Sequence, residues 1–114
     1  MVKINGRTPE RGDILRLEFN PRTGSEQAGF RPAIVISPAA YNRISTRILV
    51  CPITSRQQGW PFEVKLPNQL QTHGVVLVDQ LKAVDCHVRG ARFVETVSVE
   101  LMNEILARLE TLIS

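Results

Sequence analysis

The feature that most constrains the fold is one long amphipathic stretch at the C-terminal end of a chain whose other apolar runs are all short. Within residues 98–113, apolar side chains recur at steps of three and four, which places them on one face of a helix. Ser98 can cap the first turn, and Glu100 suits the positive end of the helix dipole. The sequence therefore predicts a single terminal helix. Its expected inner face consists of Met102, Ile105, Leu106, Leu109, Leu112 and Ile113.

The remaining apolar runs are typical of short strands separated by turns. Residues 15–19 and 62–66 alternate apolar with charged residues, so we expect one face of each strand in the core, with Glu63 and Lys65 directed to solvent. Pro52 predicts that its strand lies at an edge or carries a bulge, and Pro38 can begin a helical turn over residues 38–45. This pattern favours a mainly β fold, a small antiparallel barrel or sandwich. The other expected strands are residues 33–36, 48–53, 75–78 and 80–84, with a short segment near Phe93.

Length and composition set broad limits on what the chain can be. At 114 residues it is expected to form one domain over residues 1–114, with the polar residues 1–11 loosely ordered. No apolar run approaches the roughly 20 residues of a membrane span, and the first residues lack the apolar core of a signal peptide, so we expect a cytoplasmic protein. Cys51 and Cys86 lie in no metal-binding or CxxC spacing and are interpreted as reduced thiols.

The segment of residues 24–37 carries two opposite charges on a loop beside a buried strand. Glu26 precedes Arg31 by five residues, and Gly24 and Gly29 allow the loop to fold back tightly. Pro32 favours extended geometry at the residue before it, so Arg31 is expected at the mouth of the strand. Loops anchored on rigid strands commonly present functional groups. The alternative is a surface loop with a solvated ion pair, and the spacing alone leaves both interpretations open.

The net charge is +3 and the isoelectric point about 9.3, a mild basic surplus that by itself does not establish nucleic-acid binding. Several basic residues lie beside expected loops and strand ends, where they could form a groove for phosphates. A solvated surface is the alternative. These residues are Arg43, Arg47, Arg56, Lys65, Lys82, Arg89 and Arg92.

The usual catalytic side chains are not arranged for familiar chemistry. Neither His73 nor His87 has neighbouring metal ligands, and nothing places the two imidazoles together as an acid and a base. Cys86 and His87 are adjacent, so in a strand they would point to opposite faces. No carboxylates cluster as two-metal phosphoryl chemistry requires, and we therefore expect no metal and no cofactor.

The order of several sequence blocks along the chain is highly specific. RGDILRLEFNP is followed by GSEQAGFRPAIVIS, then by SPAAYN, CPITS, GWPFEV and HGVVLVDQLK. This series resembles the MazF/PemK family of toxin endoribonucleases from bacterial toxin–antitoxin pairs, from about Arg11 to the C-terminal helix. The resemblance implies an SH3-like barrel, the CcdB/PemK-like plasmid toxin fold, with a C-terminal helix.

The resemblance also implies roles for three residues: Arg31 as central acid/base or phosphate clamp, Thr54 as a transition-state donor and Glu26 as a supporting base. RNA carries its own nucleophile, the 2′-hydroxyl, so an enzyme need only move protons and neutralise the phosphorane-like charge. Arginine offers a fixed fork for phosphate oxygens and is a poor base, which favours Arg31 as an electrostatic stabiliser. Which group moves which proton stays open.

Further positions are candidates for holding the RNA. Phe30 can stack on unpaired bases, as can Trp60, whose turn context predicts exposure, whereas Phe62 is expected in the core. The remaining candidates follow from analogy with the family. They are Ser55, Arg56, Gln80 and Lys82.

Three functions compete on this fold. The first is a metal-independent, sequence-specific endoribonuclease that cleaves single-stranded RNA to 2′,3′-cyclic phosphate and 5′-hydroxyl ends. The second is a non-enzymatic CcdB-like toxin that binds DNA gyrase, and the third a nucleic-acid-binding regulator. Arg31 and Thr54 together favour the enzyme, because a gyrase poison needs neither. The family pattern further implies a two-fold homodimer, with RNA crossing a shared groove, and inhibition by a cognate acidic antitoxin.

Overall fold

The computed structural model describes residues 3–4, 6–19, 29–85 and 91–114. Seven strands and two α-helices occur there, together with one short 3₁₀ helix over Val78–Gln80. Glycine-containing turns and loops separate the strands, which matches the mainly β expectation. The elements are β1 Asp13–Phe19, β2 Gly29–Val35, α1 Ala39–Ile44, β3 Arg47–Thr54, β4 Glu63–Lys65, β5 Val75–Leu77, β6 Lys82–Asp85, β7 Arg92–Thr96 and α2 Val99–Ile113.

The strands form an antiparallel sheet organised around β3. The path of neighbours runs β4, β5, β3, β2, β1, β7, and β6 pairs with β3 away from that path. On one side β3 pairs with β2; on the other, its first half pairs with β6 and its end with β5. β3 therefore joins β4 and β5 to the rest of the sheet, as in the small barrel that the sequence predicts. Among the described residues β4 and β7 do not pair, so this barrel is open.

The position of Pro52 corrects the expectation of an edge strand. It lies in the central strand β3, opposite Ala33 of β2. On the other side of β3 the pairing with β6 ends at Val50 and the pairing with β5 begins at Ile53. A proline is tolerated here because it falls in the gap between two partner strands, where no ladder has to be completed.

Two apolar clusters lie on opposite faces of the sheet, because side chains alternate along each strand. On β2, Ile34 packs in the first cluster, while Ala33 and Val35 pack in the second. Helix α2 covers the first cluster. The first cluster includes Ile14, Ile36, Cys51, Ile53, Val64, Leu66, Val76 and Val78, and the second includes Ile4, Leu15, Leu17, Ile48 and Val50.

Helix α2 confirms the main expectation from the sequence. The Ser98 side chain accepts a hydrogen bond of 3.1 Å from the Leu101 backbone N–H, as an N-cap does. The inner face ends at Leu109, however, and Leu112 and Ile113 are exposed because they lie beyond the part of the helix that packs on the sheet. Among the described helices, none is long and apolar enough to span a membrane.

Residues of the N-terminal segment, for which we expected loose ordering, make several contacts. Ile4 packs in the second cluster, and the Arg11 Nε–H donates a 2.6 Å hydrogen bond to the Ile36 carbonyl. The buried Asp13 carboxylate lies 3.3 Å from the Arg7 guanidinium. These contacts tie the segment to β1 and β2.

Candidate active site

Arg31 lies inside a strand and not at its mouth. Strand β2 begins at Gly29, four residues earlier than expected, and pairs with β1 from there on, with Arg31 opposite Leu17. Pro32 favours extended geometry at Arg31, and residues 29–31 also pair with β1. The apolar run of residues 33–36 did not indicate this longer strand. Arg31 is half-buried, and the alternation along β2 puts its side chain on the same face as Ala33.

Thr54, the last residue of β3, falls on that same face. In the β2–β3 register Ala33 is opposite Pro52. The ladder ends at this pair, and Arg31 and Thr54 each lie two residues beyond it, on the same face of adjacent strands. The fold thus brings together two candidate residues that are far apart in the sequence, at the end of β3.

The surroundings of Thr54 fix its position and leave its proton available. Its Oγ1 accepts a 3.2 Å hydrogen bond from the Arg56 backbone N–H. The hydroxyl can therefore still donate to a substrate oxygen. Gly74 packs directly against the Thr54 backbone: a Cβ there would lie 2.2 Å from the Thr54 carbonyl oxygen. Only glycine fits so close an approach, which also has a φ of +122°.

The loop that follows Thr54, residues 55–62, is held by a buried carboxylate. Glu63 accepts hydrogen bonds from the backbone N–H groups of Gln58, at 3.1 and 3.2 Å to its two oxygens, and of Gly59, at 3.0 Å. The expectation that Glu63 faces solvent is therefore wrong, because the loop supplies donors that compensate its burial. Arg108 of α2 donates to the carbonyls of Pro61 and Glu63 behind the loop.

A second loop, residues 66–74, is held in the same way by Glu95 of β7. The Glu95 carboxylate accepts from the backbone N–H of Gln71 at 3.0 Å, the backbone N–H of Thr72 at 2.8 Å and the Thr72 hydroxyl at 2.7 Å. Desolvation raises the pKa of Glu95, but these hydrogen bonds and the nearby His73 outweigh it, so its pKa is lowered. Residues 71–73 of this loop lead directly to Gly74, which packs on the Thr54 backbone.

The proposed RNA-binding residues lie on β2, on the loop of residues 55–62, on the 3₁₀ helix and on β6. Phe30 is 41% exposed and Trp60 46%, and the Trp60 ring lies 5.1 Å from the half-buried Phe62 ring. Ser55 and Arg56 are exposed directly after Thr54, and Gln80 is exposed at the end of the 3₁₀ helix. Lys82, half-buried, pairs opposite Val50, on the Thr54 face of β3. Glu26 lies outside the described residues, as do Cys86, His87 and Arg89.

Among the described residues, the other reactive groups do not form an alternative centre. Burial, reinforced by the charge of Asp79, raises the pKa of the Cys51 thiol to about 12, so it is not the thiolate that nucleophilic catalysis needs. His73 is exposed on the second loop. Within the described ranges no three side chains of histidine, cysteine, aspartate or glutamate lie close enough to hold a metal ion.

Residues 10–113 match the family of PemK-like, MazF-like toxins of type II toxin–antitoxin systems. The chain belongs to this family. Its relatives include the endoribonuclease toxin MazF of Escherichia coli K12, 43% identical over 105 residues that cover 92% of this chain and 94% of that protein. The endoribonuclease toxin ChpB of the same strain is 40% identical over 111 residues, covering 91% and 93%.

Solved structures agree with the family assignment. MazF and a MazE–MazF complex from Deinococcus radiodurans each superpose with a TM-score of 0.84 at 40% identity, covering 93% of this chain and 96% of theirs. The expected mainly β toxin fold with a C-terminal helix is confirmed. The relatives named here are ribonucleases, and none of them supports the CcdB-like alternative.

Sequence reasoning missed the groups that support the site. Glu63 and Gly74 stand in the quoted blocks GWPFEV and HGVVLVDQLK, but nothing local identified one as a loop clamp or the other as a backbone contact. Glu95 holds a loop 23 residues away, a relation without any sequence signal. Arg16, which lies beside this second loop, was interpreted only as the solvent side of a strand.

Proposed function

We propose that this toxin cleaves single-stranded RNA through Arg31 and Thr54, without a metal ion. The observation that carries the proposal is the β2–β3 register: Ala33 pairs with Pro52, and Arg31 and Thr54 lie two residues beyond that pair on the same face of their strands. The family supports it, since the relatives MazF and ChpB are named endoribonuclease toxins.

The chemistry follows from what the two side chains can donate. The guanidinium of Arg31 presents a fork of N–H donors to non-bridging phosphate oxygens, where negative charge grows as the 2′-oxygen attacks phosphorus. The Thr54 hydroxyl, whose oxygen already accepts from Arg56, points its proton to the same charge. A third group has to accept the 2′-proton, and Glu26 remains the candidate for it. The products would be a 2′,3′-cyclic phosphate and a 5′-hydroxyl.

Substrate contacts would come from residues around this pair. Phe30 and Trp60 offer exposed aromatic faces for unpaired bases, and an A-form duplex hides those bases. Single-stranded RNA is therefore the expected substrate, and a cytoplasmic location is part of the proposal. Polar and basic groups would complete the groove. These are Ser55, Arg56, Gln80 and Lys82.

Two partners are part of the proposal. A MazE–MazF complex is a structural neighbour of this chain, which supports a cognate acidic antitoxin that blocks the RNA site. A two-fold homodimer would place two such sites along one groove. Both are tested by measuring mass in solution with and without the antitoxin.

The decisive experiment is incubation of the purified chain with a long single-stranded RNA in EDTA, followed by mapping of the cleaved ends. We expect cleavage at a short sequence with 5′-hydroxyl ends. Arg31→Ala should lose more than the roughly 100-fold typical of one transition-state donor, while Lys3→Ala, the same charge change at an exposed residue of the N-terminal segment, should cleave normally. Activity that disappears in EDTA and returns with magnesium would contradict the metal-free mechanism.

A further inference from the structure

Two arginines face each other on the sheet with no described carboxylate to neutralise them. Arg16 of β1 is directly opposite Arg92 of β7 in the strand register. Both are exposed, and within the described part of the chain no carboxylate forms an ion pair with either. Like charges in facing positions destabilise a sheet. An anion bound between the two guanidinium groups would remove this repulsion.

The two arginines line a cleft of about 500 Å³ that has polar walls. Residues Gln71, Thr72 and His73 of the second loop form one wall, and Pro32 of β2 contributes to another. Glu95, the nearest described acid to this wall, directs its carboxylate into hydrogen bonds with the loop. The Arg16 Nη2–H donates a 3.3 Å hydrogen bond to the Phe30 carbonyl, which restrains that guanidinium at the rim of the cleft.

The cleft lies on the other face of β2 from Arg31 and meets the candidate active site at the edge of that strand. Pro32 pairs with Arg16 in the register, whereas the side chain of Arg31 points to the opposite face. His73, which lines the cleft, directly precedes Gly74, which packs on the Thr54 backbone. A strand of RNA held by Arg31 and Thr54 would reach the cleft by passing around the edge of β2 at residues 29–30, beyond the end of β3.

We propose that the cleft between Arg16 and Arg92 binds a phosphodiester of the RNA that flanks the scissile bond. The proposal rests on the ribonuclease function given above and adds a binding site to it. Guanidinium forks match phosphate oxygens and read no base, so this site sets the register of the RNA while other residues select the sequence. The acidic chain of an antitoxin is the competing occupant.

The test uses the full-length toxin and an RNA with one cleavage site, prepared as a series in which single phosphates are replaced by neutral methylphosphonates. For the wild type, one flanking replacement should raise KM about 10-fold, the loss of one strong charged hydrogen bond. The R16Q/R92Q double variant should have a raised KM on unmodified RNA, an unchanged kcat, and no further response at that one position. Lys3→Gln, the same charge change at an exposed residue outside the cleft, is the matched control and should behave as the wild type.

The unfolding temperature distinguishes a loss of RNA binding from a loss of folded structure. Because removing either guanidinium relieves repulsion, R16Q/R92Q should unfold at the same temperature as the wild type or a higher one. The slope of log KM against log salt should fall by about 0.7 for the lost phosphate contact.

Two results would overturn the proposal while leaving RNA cleavage itself intact. One is a variant that responds to every methylphosphonate as the wild type does. The other is a variant with normal KM for RNA but weakened binding of the antitoxin, which would assign the cleft to an acidic peptide. Failure of the ribonuclease function would show differently, as a wild-type protein that cleaves none of the RNAs.

Discussion

The two loops beside Thr54 are each held by a carboxylate and each contain a positive-φ glycine, but they differ in which of these groups is buried. In the first loop, residues 55–62, Glu63 accepts from two backbone N–H groups, and Gly59 has a φ of +77°. In the second loop, residues 66–74, Glu95 accepts from two backbone N–H groups and a hydroxyl, and Gly74 has a φ of +122°. Each loop is thus shaped by a carboxylate and a positive-φ glycine.

The difference lies in where each device is buried. The Glu63 carboxylate is buried while Gly59 has open space around it, whereas Glu95 is only half-buried and Gly74 is pressed against the Thr54 carbonyl. In the first loop the carboxylate therefore supports most of the geometry, and in the second loop the glycine does. The two carboxylates therefore contribute differently to stability, because losing the hydrogen-bond partner of a polar group costs more free energy when that group is buried.

The largest effect is expected for Gly74→Ala. The new Cβ would lie 2.2 Å from the Thr54 carbonyl oxygen, in a backbone conformation that L residues rarely adopt. Strain and overpacking together should cost about 3 kcal/mol or more, and displacement of Thr54 should lower kcat at least about 10-fold, as expected for a misplaced catalytic group. Chemical denaturation and RNA cleavage measure the two effects. A variant of normal stability would show that the backbones of the two loops separate easily.

The next effect is expected for Glu63→Ala, which leaves the N–H groups of Gln58 and Gly59 without an acceptor. The free energy of unfolding should fall by about 1–3 kcal/mol, and KM should rise more than kcat falls, since Arg56 and Trp60 lie on this loop. Glu110→Ala, at an exposed position of α2, is the control and should change neither quantity. Equal effects of the two variants would remove Glu63 as the support of the first loop.

A smaller effect, dependent on pH, distinguishes Glu95. Its pKa is below the ordinary value of 4.5 in the folded protein, so its contribution to stability is present above that pH and is lost as the pH falls through the folded pKa. Glu95→Gln should therefore be about 1 kcal/mol less stable than the wild type at neutral pH, and the two should converge in acid. Denaturation between neutral pH and strong acid provides the measurement. A constant difference at every pH would contradict the role of the carboxylate charge.

The smallest effect is expected for Gly59→Ala. An added Cβ meets nothing within 4 Å, so only the positive φ of +77° opposes it. Strain of about 1 kcal/mol is partly offset by the smaller entropy of the unfolded chain, which leaves a net loss of about 0.5 kcal/mol. Cleavage should be unchanged. If Gly59→Ala lost as much stability as Gly74→Ala, the two glycines would contribute equally, which would contradict the proposed difference between the loops.

Much of the architecture was predictable because it depends on local patterns. The period of apolar residues identified α2 and its cap at Ser98, and short alternating runs indicated the strands. The ordered blocks identified the family and, through it, Arg31 and Thr54. Errors arose where contacts with distant parts of the chain overrode a local preference. Pro52 lies in the central strand β3 because β5 and β6 pair with different parts of that strand. Glu63 is buried because a loop supplies its hydrogen-bond donors.

The sequence by itself determined which elements form and which residue types carry the chemistry, because periodicity, capping and turn preferences act over a few residues. Only the tertiary structure decided that Arg31 and Thr54 lie on the same face of adjacent strands, that Gly74 packs on the Thr54 backbone and that Arg16 faces Arg92. These relations join positions 20 to 76 residues apart, and they depend on strand order and register. Register is set when whole faces of the sheet are buried together, and no single segment contains that information.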